Sequence, residues 1–153
     1  MHLRDTRSMS SSSNLELLKG MLPGPDADMA TLLRDDRVFT STSEALGGLF
    51  HPDVVSVPAW RGGGITYSGI AGFREMWLDW LQPWASYHVQ VEEMIETGES
   101  VVVFVRDRAR RQDMDVEVEL ISGSVWKFRD SKIARVEFYA NREELKEATS
   151  LPS

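Results

Sequence analysis

The sequence contains no cysteine, and this absence excludes disulfide bonds and thiolate zinc sites. Any metal would need histidine and carboxylate ligands, and the three histidines, His2, His51 and His88, do not have metal-ligand spacing. A chain without cysteine suits a reducing compartment. We therefore expect no metal site and a cytoplasmic protein.

The signatures of nucleotide and cofactor chemistry are missing as well. The sequence has no P-loop, no dinucleotide-binding fingerprint and no nucleophile elbow. The glycine-rich run RGGG at residues 61–64 is more typical of a turn than of a phosphate site. We expect no cofactor.

Basic residues are in the minority, with 17 lysines and arginines against 24 acidic residues and a formal charge of −7. A net negative charge repels nucleic acid phosphates and anionic membranes, so neither is an expected partner. Residues 1–13 lack the apolar segment of a signal peptide or anchor. We interpret residues 1–13 as a disordered N-terminal arm.

The chain is long enough to form one domain with a hydrophobic core. A folded chain of 153 residues buries roughly 68–70% of its unfolded surface. No internal repeat or second domain is apparent, and we assign residues 14–150 to a single domain.

Helical patterns occupy the first half of the chain. The clearest helix is predicted over residues 70–84, where large apolar residues recur every three or four positions. Ser41 and Glu44 form a capping box that predicts a helix ending near Phe50. Three further helices are predicted: residues 14–22, residues 26 or 28 to 35, and a last helix capped by Asn141.

From Tyr87 onward the pattern changes to the alternation that is typical of strands. The predicted strands are residues 87–95, 100–110, 115–128 and 133–139, after a first strand at 51–58. Helices followed by long antiparallel strands indicate an α+β fold.

Charged residues of the two central strands predict their register. Pairing Arg110 with Asp115 also places Arg106 opposite Glu119, and each such pair stabilises the register by roughly 0.2–1 kcal/mol. These arginines thus have acidic partners within the sheet, which disfavours a nucleic acid site.

The same register places one acid, Asp107, among the inward-facing Val103 and Val105. Burial without a cation raises the pKa of a carboxyl group, so Asp107 is a candidate general acid or base. The alternative is that Asp107 lies in water at the hairpin tip, or that a bulge turns it outward.

The turn RDSK at residues 129–132 decides which side chains of the last strand face inward. An odd-length turn, such as a three-residue loop with a bulge, places Val136 and Phe138 inside. Arg135 and Glu137 then face outward, whereas a two-residue turn would bring both inward.

Four segments match a family that we know: HPDVVSVP, YSGIAGFREMW, VEEMIETGESVVVFV and VWKFRDSKIARVEFYANREEL. In these the chain resembles the nuclear transport factor 2-like superfamily, most of all its SnoaL-like, polyketide cyclase type. The resemblance covers about residues 15–148. It implies a cone-shaped, barrel-like domain, in which helices wrap a curved, mostly antiparallel sheet around an apolar pocket. It also implies a dimer through the outer sheet face.

The catalytic residues that this resemblance implies are mostly replaced. The acid of the polyketide cyclases corresponds to Phe138, and the strand before it has Ser124. The base of ketosteroid isomerases corresponds to Val57. Of the Arg-x-Asp pair of limonene epoxide hydrolases, Asp107 matches the acid, while Val105 stands in place of the arginine.

We predict a pocket protein that binds a small apolar molecule, such as a polycyclic or isoprenoid metabolite. The predicted ligand-binding residues are Val57, Trp60, Trp77, Trp80, Val105, Ser122, Ser124, Trp126, Val136 and Phe138. One alternative is a cofactor-independent isomerase, cyclase or epoxide hydrolase-like enzyme with Asp107 as its general acid or base. A second is a non-catalytic dimerisation module with a filled core.

A homodimer through the outer sheet face is also expected, since an apolar patch there needs cover. The residues of that predicted patch are Phe104, Ile121, Val125, Ile133 and Tyr139.

Overall fold

The structure is a computed structural model that describes residues 14–61 and 64–149. Its helices are α1 (residues 14–21), α2 (Met29–Arg34), α3 (Asp36–Leu46), α4 (Gly69–Leu81) and α5 (Arg142–Thr149). Its strands are β1 (Phe50–Pro58), β2 (Tyr67–Ser68), β3 (Trp84–Thr97), β4 (Ser100–Arg111), β5 (Glu117–Arg129) and β6 (Lys132–Tyr139). The predicted arm at residues 1–13 lies outside the described residues.

The six strands form one curved sheet in the order β2-β1-β6-β5-β4-β3. All neighbours are antiparallel except β1 and β6, which are parallel. The sheet stays open rather than closing into a barrel. The prediction of an α+β fold built on a curved, mostly antiparallel sheet is confirmed.

Helix α3 begins earlier than the sequence predicts. The Asp35 carboxylate accepts hydrogen bonds from the backbone N–H groups of Arg37 and Val38, at 2.9 and 3.2 Å. It therefore supplies the N-terminal cap of this helix. The predicted start at Ser41 is wrong, because Ser41 lies inside α3.

Helix α4 ends at Leu81, three residues earlier than predicted. Pro83 has no backbone N–H and so cannot donate the next hydrogen bond of the helix, and the C-cap residue Gln82 still has helical φ and ψ, both −47°. Trp84, assigned to the helix by its spacing, is instead the first residue of β3.

The pairing of β4 with β5 differs by two residues from the predicted register. Arg110 lies opposite Glu117, and Arg106 lies opposite Ile121. Arg106 still reaches Glu119 diagonally, with 2.6 Å between its Nη1 and the carboxylate oxygen. Because the shift is even, every side chain keeps its predicted face.

The turn between β5 and β6 has two residues, Asp130 and Ser131, which is the second of the two alternatives that the sequence left open. Both have positive φ, 54° and 65°, as in a type I′ turn. Beyond the turn, Ala134 is an extra residue in β6, and Arg135 pairs with Lys127. This bulge restores the alternation that the short turn alone would have reversed.

Arg135 and Glu137 consequently face outward. The Glu137 carboxylate accepts a 2.7 Å hydrogen bond from Arg135 Nε and lies 3.5 Å from Lys127 Nζ. Partial burial raises the pKa of Glu137, but the two cations and the Tyr139 hydroxyl leave it below its usual value.

Helix α5 covers part of the outer face of the sheet. Leu145 is fully buried there against Phe104 and Val125, two residues of the predicted dimer patch. Ile133 was also placed outside, but it is fully buried in the inner core. Ile121 remains 41% exposed. The homodimer stays a prediction.

Candidate ligand pocket

The inner face of the sheet and helices α1–α4 enclose a cavity of about 220 Å³. The sheet supplies its floor from β3, β4, β5 and β6, and the helices supply its walls. An apolar cavity with a few polar groups, between a sheet and packed helices, is a typical location for a small-molecule site.

Most of the predicted pocket residues line this cavity. They are Trp60, Trp77, Trp80, Val105, Ser122, Ser124, Trp126 and Phe138. Their role in ligand binding stays a prediction.

Two predicted pocket residues, Val57 and Val136, are not among the lining residues. Val57 pairs in parallel with Glu137 and so shares the outward-facing side of the sheet. Val136 does face inward, but it is fully buried within the packed core. No pattern in the sequence indicates that β1 pairs in parallel with β6, and this pairing determines the face of Val57.

Aromatic rings form much of the cavity wall. The ring centroids of Trp60 and Trp80 are 4.9 Å apart. Phe138 lies 5.5 Å from Trp77 and 5.8 Å from Trp126, both in edge-to-face geometry. Such walls suit flat, ring-containing molecules, because aromatic pairs prefer these tilted arrangements.

None of the described side chains that line the cavity carries a formal charge. The polar residues of the lining are Thr42, Tyr87, Ser122, Ser124 and Tyr139, of which Tyr139 directs its hydroxyl to the outward-facing Glu137. Ser124 Oγ accepts a 2.8 Å hydrogen bond from Trp126 Nε1, which leaves the serine hydroxyl free to donate.

Asp107 lies next to the cavity but is not one of its lining residues. It is 4% exposed, and its Oδ2 accepts a 2.6 Å hydrogen bond from the Tyr87 hydroxyl. Its other oxygen, Oδ1, is buried without a hydrogen-bond partner among the described residues. Burial raises the pKa of Asp107 to about 7, although the Tyr87 and Ser122 hydroxyls oppose this rise.

Tyr87 is the polar, buried residue of this site that bonds to Asp107, and the sequence analysis did not include it. It lines the cavity, is 1% exposed, and packs against the rings of Trp77, Trp80 and Trp84. Burial, and then the neighbouring Asp107, raise its pKa well above the usual value for tyrosine. The available signal was strand alternation, which puts Tyr87, Val89 and Val91 on one face.

Within residues 14–61 and 64–149, no group of three or more histidine, aspartate and glutamate side chains is arranged to hold a metal ion. In the same part of the chain, no helix has the length and apolarity that a membrane span requires.

Residues 36–136 match the SnoaL-like domain family, which is more than half of the chain. No curated protein matches the chain significantly in sequence.

Three solved structures have the same fold, and this chain aligns with nearly the whole length of each. TerC, co-crystallised with polyporic acid, is 22% identical with a TM-score of 0.59, covering 88% of this chain and 96% of that chain. An NTF2-like protein of unknown function from Burkholderia pseudomallei K96243 is 19% identical with a TM-score of 0.60, covering 88% and 95%. A candidate SnoaL-like polyketide cyclase from Jannaschia sp. CCS1 is 14% identical with a TM-score of 0.59, covering 93% and 94%. At these identities the likeness shows the fold alone.

Proposed function

This chain belongs to the SnoaL-like domain family, and from that premise we propose that it binds a small, uncharged, mostly apolar molecule. Ring-containing metabolites of the polycyclic or isoprenoid kind have the required chemistry. The supporting observation is the cavity of about 220 Å³, which described side chains line with aromatic and aliphatic groups and without a charge. A charged ligand would lose its hydration there without gaining an ionic partner.

Two further observations support this proposal. The hydroxyls of Ser122 and Ser124 lie among apolar neighbours, so they offer a few oriented hydrogen bonds in an otherwise apolar site. TerC, which shares the fold, was co-crystallised with a small organic molecule, polyporic acid.

The test is binding of a neutral, apolar fluorescent probe, N-phenyl-1-naphthylamine, to wild type and two variants at Phe138. Phe138→Asp places a charge in the pocket and is expected to weaken binding at least tenfold. Phe138→Leu keeps the site apolar and is the matched control, with a change of only a few-fold. Circular dichroism verifies that both variants fold. Failure of the wild type to bind the probe, or equal affinity of the Asp variant, contradicts the proposal.

A second candidate function is acid–base catalysis, and the buried Asp107 favours it. A carboxyl group with a pKa near 7 exchanges protons readily at neutral pH. The reaction classes are isomerisation, cyclisation and epoxide opening, none of which needs a cofactor. Asp107→Asn removes the exchangeable proton while keeping the shape, so it should abolish most turnover of any substrate found. Turnover at the full rate would remove Asp107 from the mechanism.

The third hypothesis, a dimerisation module without a ligand, required a filled core, and the cavity counts against it. A cytoplasmic homodimer remains part of the proposal. Sedimentation at micromolar concentration tests the dimer, and a monomer there refutes it.

A further inference from the structure

Each of the three tyrosine hydroxyls in this chain donates a hydrogen bond to a carboxylate, and the three settings differ. Tyr67 bonds to Asp79 at an exposed site away from the cavity. Tyr139 bonds at 3.1 Å to Glu137, whose charge Arg135 and Lys127 already neutralise. The third tyrosine, Tyr87, has a different kind of partner.

Tyr87 bonds to a carboxylate that has no cation beside it. Asp107 is buried, it forms no ion pair within the described residues, and its Oδ1 has no hydrogen-bond partner there. Tyr87 lines the cavity and Asp107 does not, so the tyrosine separates the carboxylate from the cavity. A proton that leaves a bound molecule for Asp107 therefore has a path through the Tyr87 hydroxyl.

The donor and acceptor roles at Tyr87 restrict what it recognises. Its O–H hydrogen already points to Asp107 Oδ2 at 2.6 Å, and the Trp80 side chain donates a hydrogen bond to the phenolic oxygen, so that oxygen has one lone pair left for a ligand. A ligand group that meets this oxygen must be a hydrogen-bond donor. A neutral hydroxyl is such a donor, and it enters the uncharged lining without the loss of hydration that an ammonium group would suffer.

We infer that the ligand is an uncharged ring compound with an acidic hydroxyl, such as a phenol or an enol, and that Tyr87 relays its proton to Asp107. This inference rests on the proposed function, since it requires a ligand in the same cavity. Tyr87 is the residue that touches the ligand, and Asp107 acts through it.

The relay conserves atoms and charge. The ligand hydroxyl gives its proton to Tyr87 Oη, and Tyr87 gives its own proton to Asp107 Oδ2. The ligand becomes an oxyanion, Asp107 becomes a neutral acid, and Tyr87 remains a phenol. The negative charge moves from the buried carboxylate to the ligand, and the total charge in the site does not change.

The test uses 4-nitrophenol, whose hydroxyl ionises near neutral pH with a change in colour. Its methyl ether, 4-nitroanisole, has the same ring and no donor. Wild type at pH 7 is expected to bind the phenol about tenfold more tightly than the ether, the size of one hydrogen bond to a charged group. Difference absorption should show the phenolate band for the bound probe.

Three variants separate the roles of the residues. Tyr87→Phe should lose both the tenfold preference and the phenolate band. Asp107→Asn keeps an acceptor for Tyr87 but no base, so it should bind the probe as the neutral phenol. Tyr67→Phe removes a tyrosine bonded to an aspartate outside the cavity, and it should behave as wild type.

The outcomes distinguish the relay from the pocket itself. If wild type binds phenol and ether equally well, the relay is wrong and the apolar pocket stands. A phenolate band that persists in Asp107→Asn removes Asp107 from the relay. If neither probe binds, the proposed function fails, and this inference fails with it.

Discussion

Asp107 should make the free energy of unfolding depend on pH between 5.5 and 8.5. Burial raises the pKa of this carboxyl from 3.8 to about 7 in the folded protein. Between pH 3.8 and about pH 7, Asp107 keeps its proton in the folded protein and has released it in the unfolded chain. The contribution to stability is therefore complete below pH 3.8 and is lost as the pH rises through 7.

The expected size of the effect follows from this shift in pKa. The full difference amounts to about 4 kcal/mol, and the part that falls between pH 5.5 and pH 8.5 is about 2 kcal/mol. Asp107 is deeply buried, so solvent screening reduces this figure little. Tyr87 and Ser122 are the polar neighbours that oppose the rise.

Charged residues nearby do not obscure the measurement, because they face the other side of the sheet. Strand alternation places His88 on β3, Arg106 and Arg108 on β4, and Glu119 on β5 on the outer face. Their effects are present equally in wild type and in the Asp107→Asn variant.

The assay is urea unfolding of both proteins at several pH values, with the variant's free energy of unfolding subtracted from that of wild type. Wild type should lose about 2 kcal/mol relative to Asp107→Asn on going from pH 5.5 to pH 8.5. Parallel curves would refute the reasoning, because they would mean that the carboxyl has the same pKa in the folded and unfolded states.

Two other predictions concern the backbone. An added Cβ at Gly123 would lie 2.4 Å from Leu145 Cδ2 and 2.5 Å from the Val103 carbonyl oxygen. Gly123→Ala should therefore lower the free energy of unfolding, measured in urea, by about 1–3 kcal/mol. An unchanged urea midpoint would show that α5 does not pack this closely against the sheet. Ser131→Gly should stabilise the turn by about 0.5–1 kcal/mol because Ser131 has a φ of 65°. The reverse change in the other two-residue turn, Gly98→Ser at φ +64°, should destabilise it, and equal signs for the two substitutions would contradict this account.

The faces of the central strands were predictable from the sequence, and their register was not. Alternation alone put Val105, Asp107 and Ser122 on the inner face, where they lie. The predicted register relied on charges placed directly opposite each other. Arginine side chains are long enough to pair diagonally, so Arg106 meets Glu119 just as well after a shift of two residues.

Helix periodicity gave a false assignment where two elements meet. Trp84 continues the spacing of Trp77 and Trp80, yet it begins a strand, because Pro83 interrupts the helix between them. Trp84 still packs against the same cluster of rings, through Tyr87 at 6.1 Å. The composition of the cluster was therefore predictable, although the element that supplies Trp84 was not.

The uncharged pocket depends on one residue of β6, and the sequence did not reveal it. The two-residue turn would have directed Arg135 and Glu137 into the cavity, and the bulge at Ala134 turns both outward, where they pair with each other. Nothing in the sequence around Ala134 indicates a bulge. The bulge lies there because Ile133 before it and Val136 after it are both buried in the core. With these charges outside, the cavity wall is apolar and the nearby carboxyl group of Asp107 lies behind Tyr87. A carboxyl in such a place lowers stability above neutral pH, and the proposed proton relay through Tyr87 would give it a role there.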